Sequence, residues 1–267
     1  MRKIQNTFTI QSQGKSPMPV LLTCPHGGRE KLEQTRERDI CNLPTPPCSR
    51  KKFSTEKDRR TKELTEKIIQ NIVNLSEKEV YSQITDVHRA YVDLNRNPKC
   101  AFETSANKLA EKTYNKYHND ILETIKKMYI QNETGLRFLF DIHGTEQNNP
   151  DDGTSVDIFF GTDHHKTICG LMEVNPKALW DNTGLIKLLQ DKDYHTYPQI
   201  IGQDEFDKLD GGTTIKKYGG RNVKQRVEAI QCEVHSYFRI NKQRREQFAR
   251  DFAECILTFV TPYISQI

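Results

Sequence analysis

No stretch of the 267-residue chain approaches the uninterrupted apolar length that a bilayer requires, which excludes a helical membrane protein. The start, Met1 to Gln13, lacks the apolar centre of a signal peptide, so a cytoplasmic location is expected. Cysteine occurs seven times but never as C-x-x-C, and an odd count at irregular spacing argues against a secreted disulfide framework. Cys24, Cys41, Cys48 and Cys100 therefore read as buried or incidental thiols rather than zinc ligands. Charge of one sign is not in large excess, since 40 Lys and Arg against 36 Asp and Glu leave +4. The clusters Arg50-Lys51-Lys52 and Lys242-Gln243-Arg244-Arg245 then read as solvated faces, and a nucleic-acid or membrane partner is not expected. Linkers, internal repeats and low-complexity tracts are also lacking, which points to a single domain over 1–267 with a proline-rich surface excursion at about 29–53.

What is present is a series of short apolar runs alternating with amphipathic stretches. The hydrophobic fraction of 35% is low, but it includes 12 Phe and 10 Tyr, enough for a sizeable core. Met18 to Cys24, Glu79 to Ile84, Leu136 to Ile142, Ser155 to Gly161 and Val227 to Tyr237 read as strands. Helices are expected from a cap at Ser54 or Thr55 through Leu75, over Ser105 to Ile130, over Pro176 to Leu189 and over Asn241 to Val260. Pro98 should end any regular element before it. This alternation predicts an α/β fold: a mostly parallel or mixed central sheet with helices on both faces and a site at the carboxyl ends of the strands.

Polar residues cluster at those predicted strand ends. His26, in Pro25-His26-Gly27-Gly28, and His143, before Gly144-Thr145, each follow an apolar run and precede glycine. A zinc-type ion needs ligands held by separate rigid elements with one position left open. Either histidine alone reads as an ordinary loop residue, but two in matching contexts favour a shared ion. Two acids compete for the third position. Glu30 lies four residues after His26, and Asp58 lies in the expected first turn of the helix that follows the excursion, where it also suits the helix dipole. His164, His165, His88, His118 and His195 lack the strand-to-glycine setting, whereas His235 lies two residues beyond Glu233 on the same expected strand face.

The motifs then fall into a recognisable order. Pro25-His26-Gly27-Gly28, Asp58 with Thr61 and Leu64, Arg89, and Val92-Asp93-Leu94-Asn95-Arg96-Asn97-Pro98 precede Asp210-Gly211-Gly212-Thr213-Thr214, Tyr218-Gly219 and Ala229-Ile230-Gln231-Cys232-Glu233. This order resembles the N-formylglutamate amidohydrolases over Val20 to Tyr237. The resemblance implies a zinc-peptidase-like (phosphorylase/hydrolase-like) fold shared with zinc carboxypeptidases and aspartoacylases, and one Zn2+ held by His26, His143 and an acid. Arg29 stands where the carboxypeptidase and aspartoacylase relatives carry their acid, so Asp58 is preferred here and Glu30 is the rival.

Glu233, on a strand between Cys232 and Val234, would by pattern alone face either a polar site or solvent on an edge strand, and the resemblance makes it the expected base and proton donor. Arg89 would polarise the scissile carbonyl or hold a second carboxylate, Arg96 and Asn95 would bind the substrate carboxylate, and Asp93 would fix their loop. Thr213, Thr214 and Tyr218 are expected on a loop hinged at Gly211-Gly212 and Gly219-Gly220 that closes over substrate. The resulting expectation is a zinc-dependent amidohydrolase that cleaves a small N-acyl amino acid such as N-formylglutamate with metal-activated water. Its alternatives are a carboxypeptidase-like peptidase or cell-wall amidase acting on short peptides, and a non-catalytic metal-binding protein of the same fold.

Overall fold

Val20–Cys24 forms β1 and is buried along its whole length, so it needs partners on both edges and covers on both faces. The remaining strands are β2 (Tyr81–Ile84), β3 (Phe138–Thr145), β4 (Ile158–Gly161), β5 (Thr196–Tyr197) and β6 (Glu228–His235). They form one six-stranded sheet in the order β2-β1-β3-β6-β4-β5. Neighbours are parallel except β4, which runs antiparallel to β6. The computed structural model describes residues 17–44, 47–50, 53–103, 108–224 and 226–264. The polar start Met1 to Gln13, Pro46, Lys51-Lys52 and the expected helix start at Ser105 lie outside the described residues.

Eight helices surround the sheet among the described residues: α1 (Thr61–Ser76), α2 (Pro98–Ala101), α3 (Lys108–Gln131), α4 (Cys169–Val174), α5 (Leu185–Gln190), α6 (Thr213–Tyr218), α7 (Ser236–Ile240) and α8 (Lys242–Val260). The apolar stripe of α1, with Leu64, Ile68 and Ile72, meets Phe248, Phe252 and Phe259 of α8 over Leu22, Phe140 and Ile230 of the sheet. On the opposite face Tyr114, Tyr117, Ile121 and Ile125 of α3 and Ile215 of α6 cover Leu21, Leu139 and Ala229. Adjacent strand residues point to opposite faces, so two cores are filled from one set of strands. The expected mixed, doubly covered sheet is present. No helix among the described residues is long and apolar enough to cross a membrane.

Several element boundaries differ from expectation for local reasons. α1 starts at Thr61, not at Ser54 or Thr55; Arg60 at its N-cap has a left-handed backbone, and Thr61 bonds back to the Asp58 carbonyl. The helix expected over Pro176 to Leu189 is a series of turns, with Asn175 and Asp181 capturing nearby backbone amides, and only Leu185–Gln190 is helical. Pro98 opens α2 rather than ending an element, because the Asn97 side chain caps the Lys99 amide and proline suits a first helical position. β3 continues through His143 to Thr145, and Thr213 to Tyr218 form α6 instead of a mobile loop.

The excursion is more firmly tied down than a surface loop. The Arg38 guanidinium is buried and donates to the carbonyls of Arg89, Cys100 and Ser54. Cys48 and Cys100 form a disulfide, which departs from the expectation that they are thiols. With Leu43, Ile40 and Phe53 they make a small third core.

Candidate active site

One sheet face changes character along the strands. Leu21, Leu139 and Ala229 are apolar at its start, and Thr23, Asp141, His143, Gln231 and Glu233 follow towards the carboxyl ends. Asp141 pairs in register with Gln231, and His143 with Glu233. The sheet thus sets four polar side chains side by side before any loop contributes.

His26 leaves the end of β1 on a turn that only glycine allows, since a Cβ on Gly27 would lie 2.6 Å from the Lys62 amide nitrogen at the start of α1. That close approach lets the His26 carbonyl accept from the Asp58 amide at 3.0 Å. The Asp58 carboxylate is thereby turned inward. Its Oδ2 lies 3.5 Å from Nδ1 of His26 and 3.3 Å from Nδ1 of His143, and it accepts from the Gly144 amide at 3.0 Å. Asp58 sits in the connection before α1, not in its first turn, so its position is explained by these contacts and not by the helix dipole. Glu30 is exposed, and its backbone bonds to Asp86 and His88 instead.

Each histidine gives its other ring nitrogen to a buried carboxylate. Nε2 of His26 is 2.7 Å from Asp93, and Nε2 of His143 is 2.9 Å from Asp141. Asp141 also accepts from the Thr23 hydroxyl at 2.6 Å. Such pairs fix ring orientation and leave both Nδ1 atoms facing Asp58. The Nδ1 of His26 is buried with no hydrogen-bond partner among the described residues. The candidate ligand atoms of His26, Asp58 and His143 all lie within 4.8 Å of one another. Two imidazoles and a carboxylate, with an unsatisfied nitrogen aimed inward, make a donor set that suits a zinc-type cation.

Asp93 holds much of the surroundings together. It accepts from Arg89 at 2.9 Å and from the Asn95 amide at 3.1 Å, and Arg38 lies 3.3 Å away. Burial opposes its charge, but Arg89 and His26 hold Asp93 well below the usual carboxylate range. Burial likewise draws the Arg38 guanidinium down to about 10, with Asp93 limiting the fall. Asn95 accepts from the Thr214 amide at 2.8 Å and places its own amide 3.0 Å from Nε2 of His143.

Glu233 is 8% exposed and takes a hydrogen bond from Gln231 at 3.1 Å. Burial pushes its carboxyl up to about 7, an effect moderated by His143 and Arg89 and reinforced by Asp58. His26, Asp58, His143, Arg89, Asn95, Arg96 and Glu233 all line one cleft of about 620 Å3, and Gly211-Gly212 and Lys208 line it as well. Thr213 lines an adjoining hollow. Thr214 is fully buried, and the Tyr218 hydroxyl is bonded to His118 in the core, so neither is brought to the cleft. His235 caps the Tyr237 amide rather than contacting Glu233.

Sequence reasoning assigned no role to Asp141, Gln231, Arg38 or Lys208. Asp141 and Gln231 were detectable by period-two alternation, each preceding a site residue by two positions on the same strand. Arg38 and Lys208 lie in irregular segments with no such pattern.

The fold and the polar strand ends define a mostly parallel α/β architecture with its polar side chains gathered at the carboxyl ends of the central strands. The chain is similar to the crystal structure of N-formylglutamate amidohydrolase from Ralstonia eutropha JMP134, with a TM-score of 0.65 and 13% identity over 97% of this chain and 99% of that one. It is also similar to the gene product Atu2144 from Agrobacterium tumefaciens, with a TM-score of 0.50 and 12% identity over 92% and 91% of the two chains. Neither a protein-family model nor a curated protein sequence matches the chain.

Proposed function

We propose that the protein is a metal-dependent amidohydrolase that cleaves the amide bond of a small N-acylated amino acid, with N-formylglutamate as the reference substrate. The observation that carries this reading is the convergence of His26, Asp58 and His143, each histidine backed by its own carboxylate, beside a buried glutamate on the next strand. His26, Asp58 and His143 would hold one zinc-class ion. When bound, the ion supplies Lewis acidity that eases deprotonation of water near neutral pH.

The remaining roles follow from the chain's own groups. Glu233, with its carboxyl near 7, accepts a proton from the attacking water and returns it to the leaving amine. Gln231 holds one carboxylate oxygen while the other remains available. Arg89 is pinned by Asp93 and faces the cleft, where its fixed charge stabilises the developing oxyanion. Arg96 and Asn95 receive the substrate carboxylate, Arg96 by its planar fork. Thr213 lines the adjoining hollow, and the Thr214 amide holds the Asn95 side chain in place.

A non-catalytic metal-binding role would not require a buried carboxylate with a raised pKa facing the ligands. The test is elemental analysis of the purified protein followed by a hydrolysis screen against formyl, acetyl, succinyl and peptide substrates. Stoichiometric zinc with hydrolysis of N-acyl amino acids is expected. Bound metal with no turnover across the panel would favour the binding role.

A further inference from the structure

The cleft does not end at the proposed reaction centre. A second hollow of about 570 Å3 adjoins it, and Phe53, Arg96, Gly211 and Gly212 line both. The first hollow alone lies in the range that accommodates a small ligand, so the second is space that an N-formyl amino acid does not use. Its walls are of a different kind from those at the histidines. Ile40, Leu43, Pro98 and Tyr114 make it apolar, and the Cys48–Cys100 disulfide fastens the excursion's wall to α2. The guanidinium of Arg38 lies 5.0 Å from the Phe53 ring centroid and helps to seat that ring where the hollows meet.

The charge pattern of the walls adds a second feature. Lys216 is paired with Asp163 and Asp210, but Lys217, on the same wall, makes no ion pair among the described residues. Its ammonium lies 5.3 Å from the Tyr218 ring centroid. A chain bound with its reacting amide near Glu233 and extended past Arg96 therefore enters a hollow whose walls are largely apolar and also carry Lys217.

We infer that the second hollow is a subsite for a peptide extension, and that the preferred substrate is a short N-acylated peptide carrying a bulky apolar residue and a terminal carboxylate. This rests on the amidohydrolase reading and names its substrate class. Arg96 then holds the peptide carbonyl of the extension, and the terminal carboxylate moves on to Lys217. Hydrolysis itself is unchanged: water adds to the acyl carbon, the carbon–nitrogen bond breaks, and the amine leaves with the proton.

The test compares N-formylglutamate with N-formyl-glutamyl-phenylalanine. In the zinc-loaded wild type, kcat/KM should favour the dipeptide by roughly tenfold or more, as burial of one aromatic side chain supplies. Ser49→Trp, placed at an exposed residue of the hollow, should erase that preference, and Lys217→Gln should raise KM for the dipeptide severalfold. Both variants should keep wild-type turnover of N-formylglutamate and a wild-type melting temperature. Calorimetric titration of zinc-loaded Glu233→Gln with both compounds gives a readout without turnover, and the dipeptide should bind at least about tenfold more tightly. Equal binding of the two compounds, or a preference unaffected by Ser49→Trp, overturns the subsite. Tighter dipeptide binding without hydrolysis of either compound by the wild type supports the subsite and overturns the amidohydrolase reading.

Discussion

His143 and Glu233 occupy paired positions on the parallel strands β3 and β6, and the sheet itself sets the spacing between a proposed ligand and the proposed base. Neither residue depends on a mobile loop for its place. Asp141 and Gln231 repeat the relationship one step earlier, and each supports the residue two positions ahead of it. The loop-borne groups His26 and Asp58 are then added to this fixed base from one side.

Because Glu233 acts through its charge and proton, Glu233→Gln should preserve shape and abolish function. The amide fills the same volume and can still bond to Gln231. Loss of general acid–base catalysis costs about two to four orders of magnitude in kcat. Metal content, measured by elemental analysis, should match the wild type. Residual activity within tenfold of wild type would remove Glu233 from the mechanism.

Asp93→Asn tests whether the carboxylate behind His26 is part of the site. The variant keeps the shape but removes the charge that His26, Arg89 and Arg38 share. Zinc affinity should fall by about 10- to 100-fold, as expected when a carboxylate supporting a ligand histidine is neutralised. Competition with a chromophoric chelator measures this directly. An unchanged affinity would mean that His26 is not a ligand, or that its orientation is set by packing alone.

How much of this was legible in the sequence depended on whether a local pattern existed. The runs around Val20 to Cys24 and Phe138 to Ile142 announce buried strands, and the glycine after His26 marks where the chain turns at the sheet's end, whereas Gly144 lies within β3, which runs on to Thr145. The Asp58 assignment was less direct, because its place depends on a hydrogen bond to His26 from a residue 32 positions away, and no spacing rule encodes that contact. The Cys48–Cys100 bond was missed for a similar reason, since a separation of 52 residues matches no framework spacing. Thr213 to Tyr218 were misread as a loop because flanking glycines signal flexibility. Here Gly212 instead permits close approach to Asn95, whose side chain a Cβ would strike.

The Cys48–Cys100 disulfide closes a long loop that contains Asp58, Arg89, Asp93 and Arg96. Restricting such a loop in the unfolded chain is worth about 4 kcal/mol. Reduction, or Cys48→Ser with Cys100→Ser, should lower stability by a sizeable fraction of that figure in urea titrations. N-formylglutamate turnover at a temperature well below the transition should fall less than stability does, because the ligands are held by hydrogen bonds independent of the bridge. Indistinguishable unfolding midpoints with and without a thiol reductant would show that the bond does not form in solution.

His118 provides a pH test away from the reaction centre. It is 3% exposed in a cluster with Tyr114, Tyr117 and Tyr218, and burial draws its imidazole down from the model-peptide value of 6.5 to about 3. Above pH 6.5 it is neutral in both folded and unfolded chains and has no effect on the pH dependence. As pH falls below that value the unfolded chain takes up a proton that the folded chain refuses until about 3, so stability declines across this window. The slope from this one group approaches about 1.4 kcal/mol per pH unit. His118→Phe keeps the aromatic packing and removes the titration, and Tyr218 still donates to the backbone carbonyl at position 118. Urea unfolding of both proteins between pH 7 and roughly pH 4, with metal chelated throughout, should therefore show a shallower decline for the variant. Parallel declines would mean that His118 is protonated within the folded protein, and that the buried cluster accommodates its charge.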